Sequence, residues 1–449
     1  MNILRESKWA WAAAAIAVCA VLALVVLRVK FVRSLPLYYR AAATLPDEIK
    51  AAKQEGLPMT PADLVRPIAV PDARNAALLY SQIPRVNVDP ASDPYLMAVL
   101  KGEATDADRR ATQQLLTKAT PQLHLAEQAS LLPDCDFHRN WSLGPSLLFP
   151  EFAPMRQTAR LLAAQAVLQS EAGHPEAALH TIQVGAHMAQ HVGQEPTIIA
   201  FLVRIAMEAI MDRVFQQIIN RYADRPDILL LAEQTEQEFG PMPDIRTGLR
   251  GEVVMCRTMV DTLRKDQARS SITAKLPMPI TGASRSVIAD AYEAHSLSFW
   301  RRVFAAVNRT PDDPMATYLA FKAVNDAEEA LSIGKNGKAK PTYEWDELLA
   351  PFFSGAEEKV VRNEAQRHLR RTLIALLAYR QHEGHLPATL ADLSPPASSD
   401  PYIHQPLHYR RTEKGFVLYS VGTNLIDDGG NANPPKKGEL PPDIVTTFP

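Results

Sequence analysis

The chain has 449 residues, of which 47% are hydrophobic and 22% charged, and its formal net charge is -2 at pH 7. This length accommodates two or three domains with buried cores, and the composition excludes a largely disordered chain. The balance of charge excludes a general attraction for nucleic acid, so we expect no nucleic-acid partner.

The three cysteines of the chain are Cys19, Cys135 and Cys256, which lie far apart in the sequence. So few thiols at such distances exclude a disulfide scaffold and a zinc ribbon. For Cys135 and Cys256 two interpretations stay open: buried, idle thiols, or one bridge between them.

An apolar run without charges covers residues 9–27. An α-helix needs about 20 such residues to cross the hydrocarbon core of a bilayer, so the run predicts a transmembrane helix and a membrane partner through residues 9–27. A cleaved signal peptide is the alternative, but the run is longer than a normal hydrophobic signal region. More basic residues follow the run than precede it, which by charge alone favours a cytoplasmic location for the rest of the chain.

The middle of the chain has the apolar spacing of successive helices. The clearest pair covers Gln157–Ala172 and Pro175–Val192, with a turn at Gly173 because glycine ends helices and proline begins them. This pair resembles one tetratricopeptide unit, which implies an α-helical hairpin. Residues 193–226 do not repeat the pattern, so we expect a hairpin within a larger helical bundle.

Two features of the middle are candidates for chemistry. His180, His187 and His191 share one face of a helix, and His187 and His191 have the i, i+4 spacing that suits a transition metal. The alternative is an ordinary polar helix face. Glu252, beside a valine pair, is a candidate general base, although an ion-paired glutamate is far more common.

The last 90 or so residues predict a small α+β unit. A helix is expected over Glu358–Glu383, where Val361 and Leu369 belong to an apolar stripe and several arginines lie off it. A β-hairpin is expected from Leu407–Arg411 and Phe416–Val421.

These residues carry a resemblance to a known family. The motifs are Gly384-His385-Leu386-Pro387, Asp400-Pro401, Pro406-Leu407-x-Tyr409, Tyr419-Ser420-x-Gly422-x-Asn424, Gly429-Gly430 and Asp443-Ile444. In this order they resemble the globular end of the major pseudopilins of type II secretion. The whole layout also looks like a group of uncharacterised bacterial anchored proteins with the same ending. The resemblance implies a pseudopilin-like fold, an extracytoplasmic location and calcium in the last loop.

Calcium prefers six to eight oxygen ligands. On this resemblance the predicted ligands are Asn424, Asp427, Asp428 and Asp443. The alternative is a cluster of turn residues, which the same residue types favour for reasons of backbone geometry.

Together these observations predict a mainly α protein with an N-terminal transmembrane helix, an α-helical bundle body and a small pseudopilin-like α+β module. The predicted units are an N-terminal tail (1–8), the transmembrane helix (9–27), a juxtamembrane helix with an extended Pro-rich segment (28–110), the helical body (111–355) and the module (356–449). We expect a single-pass protein of the bacterial inner membrane with its bulk outside the cytoplasm.

The sequence contains no nucleophile elbow and no glycine-rich nucleotide loop, so it identifies no reaction. The predicted function is a structural or protein-interaction role with protein partners in the cell envelope. The alternatives are a metal-dependent enzyme with a cleft in the helical body, using His187 and His191, and an accessory component of a secretion or pilus machine.

Overall fold

The computed structural model describes residues 36–84, 93–241, 244–265, 282–310, 313–332, 356–433 and 442–448. The helices are α1 (36–43), α2 (Leu45–Gln54), α3 (Ala77–Tyr80), α4 (Pro94–Lys101), α5 (Asp106–Lys118), α6 (Thr120–Ser130), α7 (Phe152–Glu171), α8 (Pro175–Val192), α9 (Ile198–Arg221), α10 (Pro226–Gln237), α11 (Ile245–Arg264), α12 (Gly282–Val307), α13 (Pro314–Ser332) and α14 (Ala356–Glu383). The strands are β1 (His408–Arg411), β2 (Phe416–Ser420) and β3 (Ile444–Phe448).

The predicted membrane-spanning element is corrected by the structure. In the part of the chain given above, no helix is both long enough and apolar enough to cross a membrane. Even α9, 24 residues long and rich in isoleucine and methionine, carries Arg204, Glu208 and Asp212 on its buried side. The predicted span at 9–27 itself lies outside the described residues. The finding contradicts the fold class in this element, and with it the single-pass location in the inner membrane; both predictions are withdrawn.

The predicted helix pair forms the centre of the fold as α7 and α8, and α9 packs against both. Thr197 caps the first turn of α9, since its side chain accepts a hydrogen bond from the backbone N–H of Ala200. The α8–α9 approach is close: a Cβ at Gly185 would lie 2.3 Å from Sδ of Met211. A larger residue at position 185 would therefore separate the two helices.

Residues 106–130 form two helices, α5 and α6, joined by a bend. Thr105 begins α5 with a capping box to Asp108. The helix ends at Lys118, and α6 begins at once because Pro121 cannot continue the hydrogen bonds of the preceding turn. The bend allows α5 and α6 to lie across α7 and α8. Helix α4 and strand β3 were not predicted from the sequence.

The C-terminal part consists of α14 and an antiparallel sheet in the order β1-β2-β3. The predicted hairpin is present, with His408 paired to Tyr419 and Arg411 paired to Phe416. Asp400, which is fully buried, accepts hydrogen bonds at 2.9 Å from the backbone N–H of Tyr402 and of Val421, and from the Ser420 hydroxyl. This carboxylate therefore ties the Asp-Pro loop to the end of β2.

A buried ion cluster joins α14 to the helical middle. The guanidinium of Arg370 contacts the carboxylates of Asp212 on α9 and Glu236 on α10, and its carbon atom lies 4.2 Å from the ring centre of Phe239. We call Arg370, Asp212 and Glu236 the Arg370 cluster. Burial raises the pKa of Asp212 against the opposing effect of Arg370.

The Arg370 cluster also corrects one detail of the predicted α14. The apolar stripe is buried as expected, but Arg367 and Arg370 are buried as well instead of lying in solvent. One hydrophobic core runs through both parts and includes Phe215 of α9, Leu373 of α14 and Phe416 of β2. The predicted domain boundaries stay predictions. Side chains of the helical body and of the predicted module from residue 356 onward pack into the same core.

Candidate functional site

A half-open cleft of about 570 Å³ lies where α5 and α6 cross α7 and α8. The turn between α7 and α8 closes one end; Gly173 there adopts a left-handed backbone conformation (φ 86°) that glycine accepts without strain. We call this feature the α5–α8 cleft. A concave pocket of this size, formed by described residues, is our candidate functional site.

Apolar side chains form the floor of the cleft, and uncharged polar groups lie above them. Leu116, Leu162 and Val184 are each buried at the floor. The polar lining consists of Gln113, Thr117, Thr120, His124, Glu127, Gln165, Gln169, His174, His180 and Thr181. No Lys or Arg lines the described walls of the cleft, so Glu127 is its sole fixed charge.

The hydroxyl groups of the cleft are engaged in hydrogen bonds to the protein itself. Thr117 and Thr120 donate to backbone carbonyls of the same helical segment at 2.9 Å. Thr181 lies 2.8 Å from Oε1 of Gln169 and 3.0 Å from the carbonyl of Ala177. None of these hydroxyls faces a base in the described lining, and a serine- or threonine-type nucleophile needs one.

Two polar groups of the cleft differ from the rest. Oε1 of Gln165 is buried and has no hydrogen-bond partner among the described residues. At the rim, Glu127 lies between two imidazoles: Nδ1 of His124 is 3.8 Å from Oε2, and Nε2 of His180 is 3.6 Å from Oε1. Both distances exceed the usual hydrogen-bond range of about 2.7–3.2 Å. Both carboxylate oxygens therefore lack a hydrogen bond to these rings.

The structure does not present His187 and His191 as a pair of metal ligands. Nε2 of His191 lies 2.9 Å from the carbonyl oxygen of Leu132, to which it must donate, so Nδ1 accepts from the Tyr80 hydroxyl at 2.8 Å. Burial lowers the pKa of His191 to about 4, which keeps the ring neutral. His187 instead pairs with Glu238 at 2.8 Å. Because both ring nitrogens of His191 are engaged in these hydrogen bonds, neither is free to bind a metal ion. We therefore do not propose the transition-metal site.

The predicted calcium ligands mainly hold their own loop in place. Oδ2 of Asp443 accepts from the backbone N–H of Gly430 and Asn431, and Oδ1 of Asp427 accepts from the Tyr419 hydroxyl. The side-chain amide of Asn424 donates to Asp428 at 2.7 Å. Oδ1 of Asp443 is buried without a partner in the described structure.

Over the described ranges no three His, Cys, Asp or Glu side chains are close enough together to hold a metal ion. The geometry therefore favours the alternative, a cluster of turn residues. The calcium site at Asn424, Asp427, Asp428 and Asp443 stays a prediction.

The remaining candidates have structural explanations. The carboxylate of Glu252 accepts a hydrogen bond from the backbone N–H of Ile198, at the start of α9, so it stabilises that helix end rather than a substrate. Cys135 and Cys256 are both free, so the structure does not contain the bridge between them. Burial raises the pKa of Cys256 to about 12, and this keeps the thiol protonated and unreactive.

Apart from His180, which belongs to the predicted histidine face of α8, the cleft residues were missed because they carry no motif. Their one sequence signal is a run of Gln, Thr and His at helical spacing on two neighbouring helix pairs, which reads as ordinary solvated surface. Comparison with protein-family models, curated proteins and solved structures gives no match. The resemblance to pseudopilins therefore stays a prediction.

Proposed function

We propose that this protein has a protein-interaction role and that the α5–α8 cleft binds a polypeptide segment. One observation carries the proposal: uncharged amide and hydroxyl groups surround a leucine-lined floor in an open cleft. Its volume of about 570 Å³ lies within the range of ligand sites, about 300–1,000 Å³. Amide side chains match the N–H and C=O groups of a peptide backbone, and the leucines accept apolar side chains.

The described contacts do not favour the enzyme alternative. That alternative used His187 and His191, and the ring of His191 is fully engaged by Tyr80 and Leu132. General acid–base work also needs a group placed against a reacting atom in a sheltered site. In the α5–α8 cleft, His124, Glu127 and His180 are all more than half exposed.

The test is selection of peptides on the full chain followed by blocking of the cleft. Random displayed peptides of about twelve residues, long enough to span the cleft, are selected on the wild-type protein. Ala177, an exposed alanine of the cleft rim on α8, is replaced by Trp to fill the space. The matched control is Ala378→Trp, an exposed alanine on α14 that does not line the cleft.

We expect selected peptides to bind the wild type and the Ala378→Trp variant equally. Binding to the Ala177→Trp variant should fall by about tenfold or more, which corresponds to about 1.4 kcal/mol. Failure to select any peptide, or equal binding to both Trp variants, contradicts the proposal.

A further inference from the structure

The electrostatic character of the α5–α8 cleft points to one kind of peptide. Its described walls carry no Lys or Arg, and Glu127 is the one carboxylate among them. The hydroxyl groups already donate within the protein, as described above. A ligand therefore meets one carboxylate and no cationic side chain in the described lining.

Glu127 is placed to receive a cation. It lies on α6 and faces His180 on α8 across the rim, with 52% of its side chain exposed. Neither imidazole approaches closer than 3.6 Å, so both carboxylate oxygens retain room for an N–H donor.

Gln165 supplies a second acceptor, closer to the floor. Its Oε1 atom is buried and lacks a partner among the described residues, which is an unfavourable state for a polar atom. Gln169, one helical turn further on, differs because its Oε1 lies 2.8 Å from the Thr181 hydroxyl. Rotation of the Gln165 side chain towards the cleft that it lines would give its oxygen a donor from a ligand.

We infer that the polypeptide bound in the α5–α8 cleft presents a Lys or Arg side chain, whose cationic group pairs with Glu127 while an N–H group of the ligand reaches Gln165. The inference rests on the proposed peptide-binding role and adds the chemistry of the partner. The aliphatic stem of Lys or Arg packs on apolar surface such as Leu116 and Leu162 while its charged end stays at the rim.

The test compares three degenerate peptide pools on the full chain at pH 8. The pools are identical except for a fixed central residue: Lys, Gln or Glu. We expect the Lys pool to bind about two- to fivefold more tightly than the Gln pool, the range expected of an exposed ion pair, and the Glu pool to bind most weakly. The preference should disappear when the salt concentration rises from about 50 mM to about 500 mM.

Two variants separate Glu127 from general surface charge. Glu127→Gln should remove the preference for the Lys pool over the Gln pool. Glu233→Gln, an exposed carboxylate on α10 that does not line the cleft, should keep the preference. Equal binding of the three pools, or a preference that survives Glu127→Gln, overturns the inference while the peptide-binding role stands. If no pool binds the wild type, the proposed function itself fails.

Discussion

The Arg370 cluster and the α5–α8 cleft place the same kind of residue in opposite surroundings. Both put carboxylates between packed helices. In the Arg370 cluster, Asp212 and Glu236 are buried and contact a buried guanidinium. In the cleft, Glu127 is half exposed, and the imidazole of His180 comes no closer to it than 3.6 Å. A buried carboxylate with a charged partner holds the fold together, whereas an exposed one without a close partner remains available to a ligand.

The largest effect is expected from loss of the buried cation. Arg370→Ala leaves Asp212 buried without a cationic partner and Glu236 with only the half-exposed Arg371, so the free energy of unfolding should fall by about 3–5 kcal/mol. Arg371, the next residue, also contacts Glu236 but is 44% exposed, and Arg371→Ala should cost no more than about 1 kcal/mol. Urea unfolding followed by circular dichroism measures both.

Should Arg370→Ala fail to accumulate, Arg370→Lys serves as the second variant. It keeps one charge but loses the fork that contacts two carboxylates, so an intermediate loss is expected. Equal, small losses for the Arg370 and Arg371 variants would show that burial does not distinguish the two arginines.

His191 offers a pH-dependent comparison with His187. Burial lowers the pKa of His191 from 6.5 to about 4, so the folded state favours the neutral ring. This stability is present above pH 6.5 and is lost as the pH falls below it, by about 2 kcal/mol between pH 7.5 and pH 5. Urea midpoints across this range measure it.

His187, one helical turn before His191 on α8, provides the control for this pH dependence of stability. His191→Gln should remove that part of the pH dependence, whereas His187→Gln, at a side chain 30% exposed, should retain it. The same slope in the His191→Gln variant and the wild type would contradict the assignment to His191.

A smaller effect of opposite sign is expected at Gln165. Gln165→Leu removes a buried acceptor that has no partner in the described structure, so the free energy of unfolding should rise by about 1 kcal/mol. Gln169→Leu, one turn along α7, removes the acceptor of the Thr181 hydroxyl and should lower it by about the same amount. Thermal melts of both variants measure these two changes. Stabilisation by Gln169→Leu would contradict the assignment of Gln169 as the hydrogen-bonded amide of the two.

The smallest effect on stability is expected at the cleft rim. Glu127→Gln should change the free energy of unfolding by less than about 0.5 kcal/mol, because the side chain is exposed and makes no close ion pair. Chemical unfolding of this variant beside Arg370→Ala measures the contrast directly. A loss of several kcal/mol at Glu127 would assign it a structural role and remove it as a ligand group.

The sequence predicts the helices well where local signals agree. The α7–α8 hairpin has an apolar period, a glycine at its turn and a proline at the start of the second helix, and it is present as expected. The β1–β2 hairpin has a similar agreement of strand and turn residues. In both hairpins, the residues that determine the helices, strands and turns belong to the hairpin itself.

The sequence does not predict features made by distant residues. Periodicity assigns Arg370 to the solvent face of α14, because its acidic partners precede it by 134 and 158 residues. The α5–α8 cleft likewise exists only after two helix pairs cross. The predicted transmembrane helix rested on hydropathy alone, and the part of the chain that the structure describes contains no helix of that kind.

The position of Arg370 late in the chain has a consequence for biosynthesis. During translation the ribosome completes α9 and α10 well before it reaches α14, so Asp212 and Glu236 emerge without Arg370, which contacts both in the finished fold. Until then, burying these acids between apolar helices is unfavourable. The helical middle should therefore stay open on the ribosome and close only when the last 90 or so residues arrive.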